Sequence, residues 1–488
     1  MITRLESRRV TVLASAALLL SATLATPLAA RTYTDAELEV MPAPGPNPFL
    51  SFLPVGAEVN WDYWNAWRDY QGRKRAEAQA AARGETRFGT VAEVEPNDTF
   101  GTAQAIPAFG TGTGDNPSID ITGTVGSGDV DCFRITLEVG DIIGFVRPGG
   151  GLVEMFNPSN DLQMGTTQDG SGLYPAASPM PGGGATGDHI TYVNGDHVIC
   201  TQNGAGSYTL QLRAFRSVFE DQGTQVLFID FDGAMIDPAI FGGPPGVVSL
   251  SPLSDFLAGW GLGPADENAV IDSILASVDE SITADLAMQS NPSFGVEILN
   301  SRDHADPFGQ PNVSRLIVGG TIGEFGIGTI GIAESIDPGN FGTEESAVIL
   351  LDLLSDPGGG PNSLNQFGLG GGATQIDLVG TGVGNIVVHE AGHYLGNWHT
   401  EQFSAMSDPS IMDQGGNLPG TVGVGPDNTF GTGDDFDVDL SVDLFNFAEG
   451  FTGTEHTNEK SAHALTTGSL FVDSFETGDT TRWSNTTP

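Results

Sequence analysis

The sequence predicts a multidomain chain in which a small β-sandwich precedes an α/β domain, and three observations carry that prediction. Residues 91–214 break into short period-two segments, such as 131–137 and 207–212, separated by glycine clusters at 149–151 and 182–184. Beyond residue 222, apolar strand-like runs alternate with helical spacing. Residues 31–90 differ from both, being first proline-rich and then tryptophan-rich and basic.

The α/β part spans 222–460. Val226-Leu227-Phe228-Ile229-Asp230-Phe231 reads as a buried strand. Val270, Ile271, Ile274, Leu275, Val278 and Ile282 recur on one face of a helix across 266–286. Strands are expected at 294–299, 313–318, 329–333 and 347–351, and a helix at 385–395. The glycine-rich stretch 356–384 reads as an insertion, a mobile rim or a metal-stabilised loop.

Composition narrows the partners. A chain of 488 residues can bury two or three cores, and 62 acidic against 18 basic residues give a net charge of −44. That surface repels nucleic acid and anionic membranes and favours divalent cations. Arg4, Arg8 and Arg9 precede an apolar run from Val10 to Leu20, with small residues to Ala30, so residues 1–30 read as an export signal of bacterial type. No other stretch is apolar and long enough to span a bilayer, so no membrane contact is expected once the signal is removed. Cys132 and Cys200 can pair in an oxidising compartment, and they lack the CxxC spacing of a zinc site.

Between the signal and the sandwich, Trp61, Trp64 and Trp67 have helical spacing, and six of the 18 basic residues follow from Arg68 to Arg87. This segment reads either as a pro-segment covering a site or as a linker with one docking helix. The remaining 461–488 form a C-terminal tail.

The chemistry concentrates in His389-Glu390-Ala391-Gly392-His393-Tyr394-Leu395-Gly396-Asn397-Trp398-His399. On a helix, His389 and His393 share one face and can aim two imidazoles at one metal. Glu390 is placed to reach a water held by that metal, and Gly396 permits the turn that returns His399 as third ligand. Three nitrogen ligands with an open fourth position make a catalytic rather than a structural zinc site, with Glu390 as general base. His189, His197, His304, His456 and His463 have no such spacing.

This motif resembles that of the metzincin zinc peptidases, in which HExxHxxGxxH is followed by a Met-turn. The resemblance assigns that turn to Met412 in Ser410-Ile411-Met412-Asp413, with Met406 as a second candidate. It implies a secreted metalloendopeptidase acting on proteins or peptides, and an edge strand at Thr329, Gly331 and Ala333 that pairs with extended substrate. No Tyr follows Tyr394, so a tyrosine after the Met-turn has no counterpart here. Residues 31–90 hold no Cys, so latency through a cysteine is not available. The β-sandwich resembles the bacterial pre-peptidase C-terminal domain through Glu93-Val94-Glu95-Pro96-Asn97-Asp98-Thr99, Gly128-Asp129-Val130-Asp131-Cys132-Phe133 and Gly206-Ser207-Tyr208-Thr209-Leu210. Such modules accompany secreted peptidases without catalysing.

Asp427, Asp434, Asp435 and Asp437 lie among glycines and suit calcium as readily as a solvated loop. The alternative function is an exported binding protein with a vestigial zinc site. Peptide-bond preference and oligomeric state are not legible.

Overall fold

The computed structural model describes residues 31–82, 89–106, 118–215, 223–402 and 409–467. The export signal expected at 1–30, Met406 and the end of the expected tail from 468 lie outside the described residues.

The fold is multidomain and α/β, with several mixed sheets. One sheet has six strands in the order Ser51–Phe52, Gly331–Ala333, Ser346–Ile349, Val313–Val318, Gln225–Asp230 and Val296–Asn300. The last four run parallel. Val313–Val318 is buried at every position, Ser314 and Arg315 included, as suits a parallel sheet covered on both faces. Gly331–Ala333 joins antiparallel, and Ser51–Phe52 joins antiparallel to it in turn. The strand expected at the sheet edge is therefore flanked on both sides. Its outer neighbour comes from the 31–90 segment.

Two helices pack on this sheet and on each other. Glu267–Val278 buries Val270, Ile271, Ile274 and Val278, the face its spacing predicts. The second helix, Gln375–Tyr394, begins ten residues before the expected 385, so the reading of 356–384 as an insertion is corrected over 375–384. Thr374 and Asp377 close a capping box at its start. Its glycines serve contact rather than flexibility. A Cβ on Gly384 would lie 2.6 Å from Ser277 Cβ, and one on Gly380 would run into Ser273, so glycine lets the two helices approach closely.

Residues 90–215 supply five strands to each of two further sheets that face a shared apolar cluster including Ile121, Phe133, Phe145, Val153 and Leu210. Cys132 and Cys200 lie directly opposite on neighbouring antiparallel strands and form a disulfide. The six-stranded sheet of this β-domain ends in Phe451–Thr452, a strand from the far end of the chain.

The Trp61–Ala82 helix docks against the β-domain at Gly170–Leu173. Arg68 is wholly buried on it. Its guanidinium donates to Glu449 O (2.8 Å) and Asn65 Oδ1 (3.2 Å) and lies 4.4 Å over the Phe49 ring. Arg75 donates to Met180 O (2.8 Å). Basic side chains thus do dock this helix, mainly on carbonyl oxygens.

Candidate metal centre

His389, Glu390 and His393 all fall in the last two turns of the Gln375–Tyr394 helix, and each is fully buried. The chain leaves the helix through Gly396, whose φ of +95° suits glycine. A Cβ there would lie 2.6 Å from Pro338 Cα, a second reason for glycine. Asn397 is fixed by Ser461 Oγ (2.7 Å). Trp398 is fixed by Asp188 Oδ2 on its indole (3.1 Å) and by Glu455 Oε1 on its amide (3.3 Å). Lys460 Nζ bridges the same two carboxylates at 2.9 and 2.6 Å. This buried group brings His399 back beside the helix.

Each imidazole has its Nδ1 against an acceptor: Ile411 O at 2.6 Å for His389, Asn397 O at 3.0 Å for His393, and Glu449 Oε1 at 2.7 Å for His399. The two carbonyls can only accept, which assigns the proton to Nδ1 of His389 and His393. Burial pushes the Glu449 carboxyl well above its usual range and Arg68 opposes the rise; in its ionised form it also accepts from His399 Nδ1, so that three Nε2 lone pairs converge. Burial pushes His389 and His399 down to about 3 and His393 well below its usual value, so all three are neutral at pH 7. The Nε2 atoms of His389 and His399 lie 3.2 Å apart, and His393 Nε2 has no hydrogen-bond partner. Two lone pairs facing each other repel unless a cation lies between them. Zinc–nitrogen bonds of about 2.0–2.1 Å at tetrahedral angles set the nitrogens about 3.3 Å apart, close to the distance found. The buried three-histidine group can hold a metal ion such as zinc.

Glu390 is also fully buried, and neither carboxylate oxygen has a side-chain hydrogen-bond partner. Burial pushes its carboxyl well above the usual range, with the Phe52 main chain opposing the rise. A cation held by the histidines acts in the same direction as Phe52. Gly331 lies against this carboxylate, and any Cβ there would collide with Glu390 Oε1.

Met412 is fully buried with its Sδ against Gly392, one residue before His393, and its carbonyl accepts from Thr400 N–H at 2.9 Å. Gly331 and Ala333 belong to the strand beside Glu390, and Thr329 lies just before it with its hydroxyl donating to Phe52 O at 3.0 Å. Asp427, Asp434 and Asp435 gather within 4.8 Å, while Asp437 is not in that group. Asp435 accepts from the Gly431 and Thr432 amides, and Asp427 from the Thr429 amide, so the loop itself takes up these oxygens.

Sequence reasoning missed Glu449, Arg68 and Phe52, which lie far from the motif in the chain and share no spacing with it. It also missed the meeting of Glu93 and Glu95 with Asp131, a fully buried carboxylate beside the Tyr208 hydroxyl.

No protein-family model matches the chain, and no curated protein is significantly similar to it. A solved structure that does match is PliG of Aeromonas hydrophila, a periplasmic inhibitor of g-type lysozyme. It is 11% identical over 26% of this chain and 97% of that one, with a TM-score of 0.16. A likeness so slight carries neither fold nor function across.

Proposed function

We propose that this protein is an exported zinc metalloendopeptidase of the metzincin type. The supporting observation is the convergence of three neutral imidazoles beside Glu390, a buried carboxylate that no side chain pairs with. A site that only held a metal for stability has no need of such a group. Zinc, when bound by His389, His393 and His399, polarises the scissile carbonyl and acidifies water to a pKa near 7. Glu390 takes the proton of the attacking water and delivers it to the leaving amine. The outer edge of the Gly331–Ala333 strand, which Ser51–Phe52 occupies in the chain itself, is where an extended peptide would pair, and Gly331 keeps that edge within reach of Glu390. The Cys132–Cys200 disulfide supports an oxidising, extracytoplasmic location, and among the described residues no helix is long and apolar enough to cross a membrane.

The test is casein hydrolysis by residues 31–488, zinc-loaded or chelated, beside a Glu390→Ala variant with its zinc content measured. Hydrolysis that needs zinc and is lost in a variant still holding one zinc supports the reading. One zinc per chain with no peptide bond cut, in casein or in the chain itself, refutes it.

A further inference from the structure

Residues 48–55 run through the cleft between two lines of main chain. On one side Ile330 N–H donates to Phe52 O (3.1 Å) and Ala333 N–H to Leu50 O (2.9 Å). On the other, Leu53 bridges Gly415 in parallel, and Gly416 N–H donates to Leu53 O (2.7 Å). Gln414 Nε2 donates to Pro48 O (3.1 Å), and Val55 N–H to Asn362 Oδ1 (2.6 Å). Main-chain bonding on both flanks is how a cleft holds a peptide regardless of its sequence.

Successive carbonyls of a strand point to opposite sides. Those of Leu50 and Phe52 face the Gly331–Ala333 strand, so that of Ser51 turns away from it. The Phe52 ring meets His389 edge-to-face with centroids 5.2 Å apart. Phe52 also pairs with Gly331, the residue in contact with Glu390. The bond presented to the base and the first histidine is therefore Ser51–Phe52. The Phe52 side chain joins the apolar cluster containing Ile411, Met412 and Leu418, whereas Phe49 and Leu50 join the other cluster.

We propose that the site cleaves its own chain at Ser51–Phe52, and that it accepts extended peptides with a small residue before the cut and an aromatic one after it. This rests on the peptidase reading above. Water adds to the Ser51 carbonyl carbon, its proton passes through Glu390 to the Phe52 nitrogen, and the C–N bond breaks. The products are a Ser51 carboxylate and a Phe52 amine. The downstream product stays tethered to the Trp61–Ala82 helix that Arg68 anchors.

The test uses residues 31–488 prepared metal-free and then given zinc, with the new amino terminus read by mass spectrometry. The expected result is a chain beginning at Phe52, formed at a rate unchanged over tenfold dilution and absent in Glu390→Ala. Phe52→Asp should slow the cut at least tenfold, while Phe52→Leu retains most of it. Without zinc, hydrogen exchange on the Glu390→Ala chain should show slow Ala333 and Gly416 amides that speed up at least tenfold when Phe52→Asp is added. Fast exchange at both amides before that substitution overturns the strand placement, and a cut that ignores Phe52→Asp overturns the register. An intact or differently cut chain that hydrolyses casein overturns the proposal and leaves the peptidase reading standing. A chain that binds zinc and cuts neither itself nor casein overturns both.

Discussion

Replacing Glu449 should weaken zinc binding without touching a ligand. His389 and His393 lean on main-chain carbonyls, which no substitution removes, whereas His399 leans on a side chain at 2.7 Å. Both partners of that bond are fully buried, so water cannot replace the lost acceptor. Outer partners of ligating histidines typically contribute 10- to 100-fold in metal affinity, or about 1.4–2.7 kcal/mol. Glu449→Gln keeps an acceptor but loses the charge that makes the imidazole more basic, so the lower figure, roughly tenfold, is expected. Glu449→Ala frees the ring to rotate, and the loss should approach roughly 100-fold. The loop stays in place in both, because Arg68 holds the main-chain carbonyl of residue 449. Affinity is read by competition with a chromophoric chelator, in a Glu390→Ala background that prevents proteolysis. Wild-type affinity in Glu449→Ala would refute the argument.

Arg68→Met should destabilise the chain by about 3–5 kcal/mol, because it leaves Glu449 and the neighbouring Asp69 and Asp169 without their buried counter-charge. An unchanged urea midpoint contradicts this. Asp69, which accepts the Asp169 amide at 2.8 Å, is pushed up to about 6 by burial. A raised carboxyl pKa stabilises docking fully below pH ~4 and loses that contribution as pH rises through about 6. Hydrogen exchange of the Trp61–Ala82 helix should therefore be slower at pH 5 than at pH 7.5 after correction for intrinsic rates, and Asp69→Asn should flatten the difference. Removing the disulfide with Cys132→Ser and Cys200→Ser, 68 residues apart, should cost about 4 kcal/mol in denaturant unfolding. A cost below about 1 kcal/mol would mean that the adjoining strand ladder already holds the loop.

The meeting of the three histidines was legible because a helix and one glycine turn convert their spacing directly into geometry. The parallel strands were legible because each carries a short cluster of Val, Ile, Leu or Phe, as in Val226–Ile229 and Leu316–Val318. The start of the Gln375–Tyr394 helix was not, since Gly380, Gly382 and Gly384 read as loop until their neighbours supply the reason for small residues, the Glu267–Val278 helix against Gly380 and Gly384, and Leu364 and Val422 against Gly382. The outer partner of Gly331–Ala333 was hidden for a different reason. Ser51–Phe52 is two residues long and carries no periodicity, and only its bonds across some 280 positions of sequence make it a strand. Glu449 was illegible in the same way, one acidic residue among 62.

Trp398, the residue before the third histidine, hangs from Asp188 of the β-domain, while Phe451–Thr452 completes that domain's sheet from the opposite end of the chain. Neither half can then be inherited as a cassette. A gene rearrangement that moved residues 90–215 into another protein would leave behind one of the strands it folds with. The remainder would keep all three histidines in its sequence but lose Asp188, the carboxylate that holds the Trp398 indole beside the third, and Lys460 would face Glu455 alone.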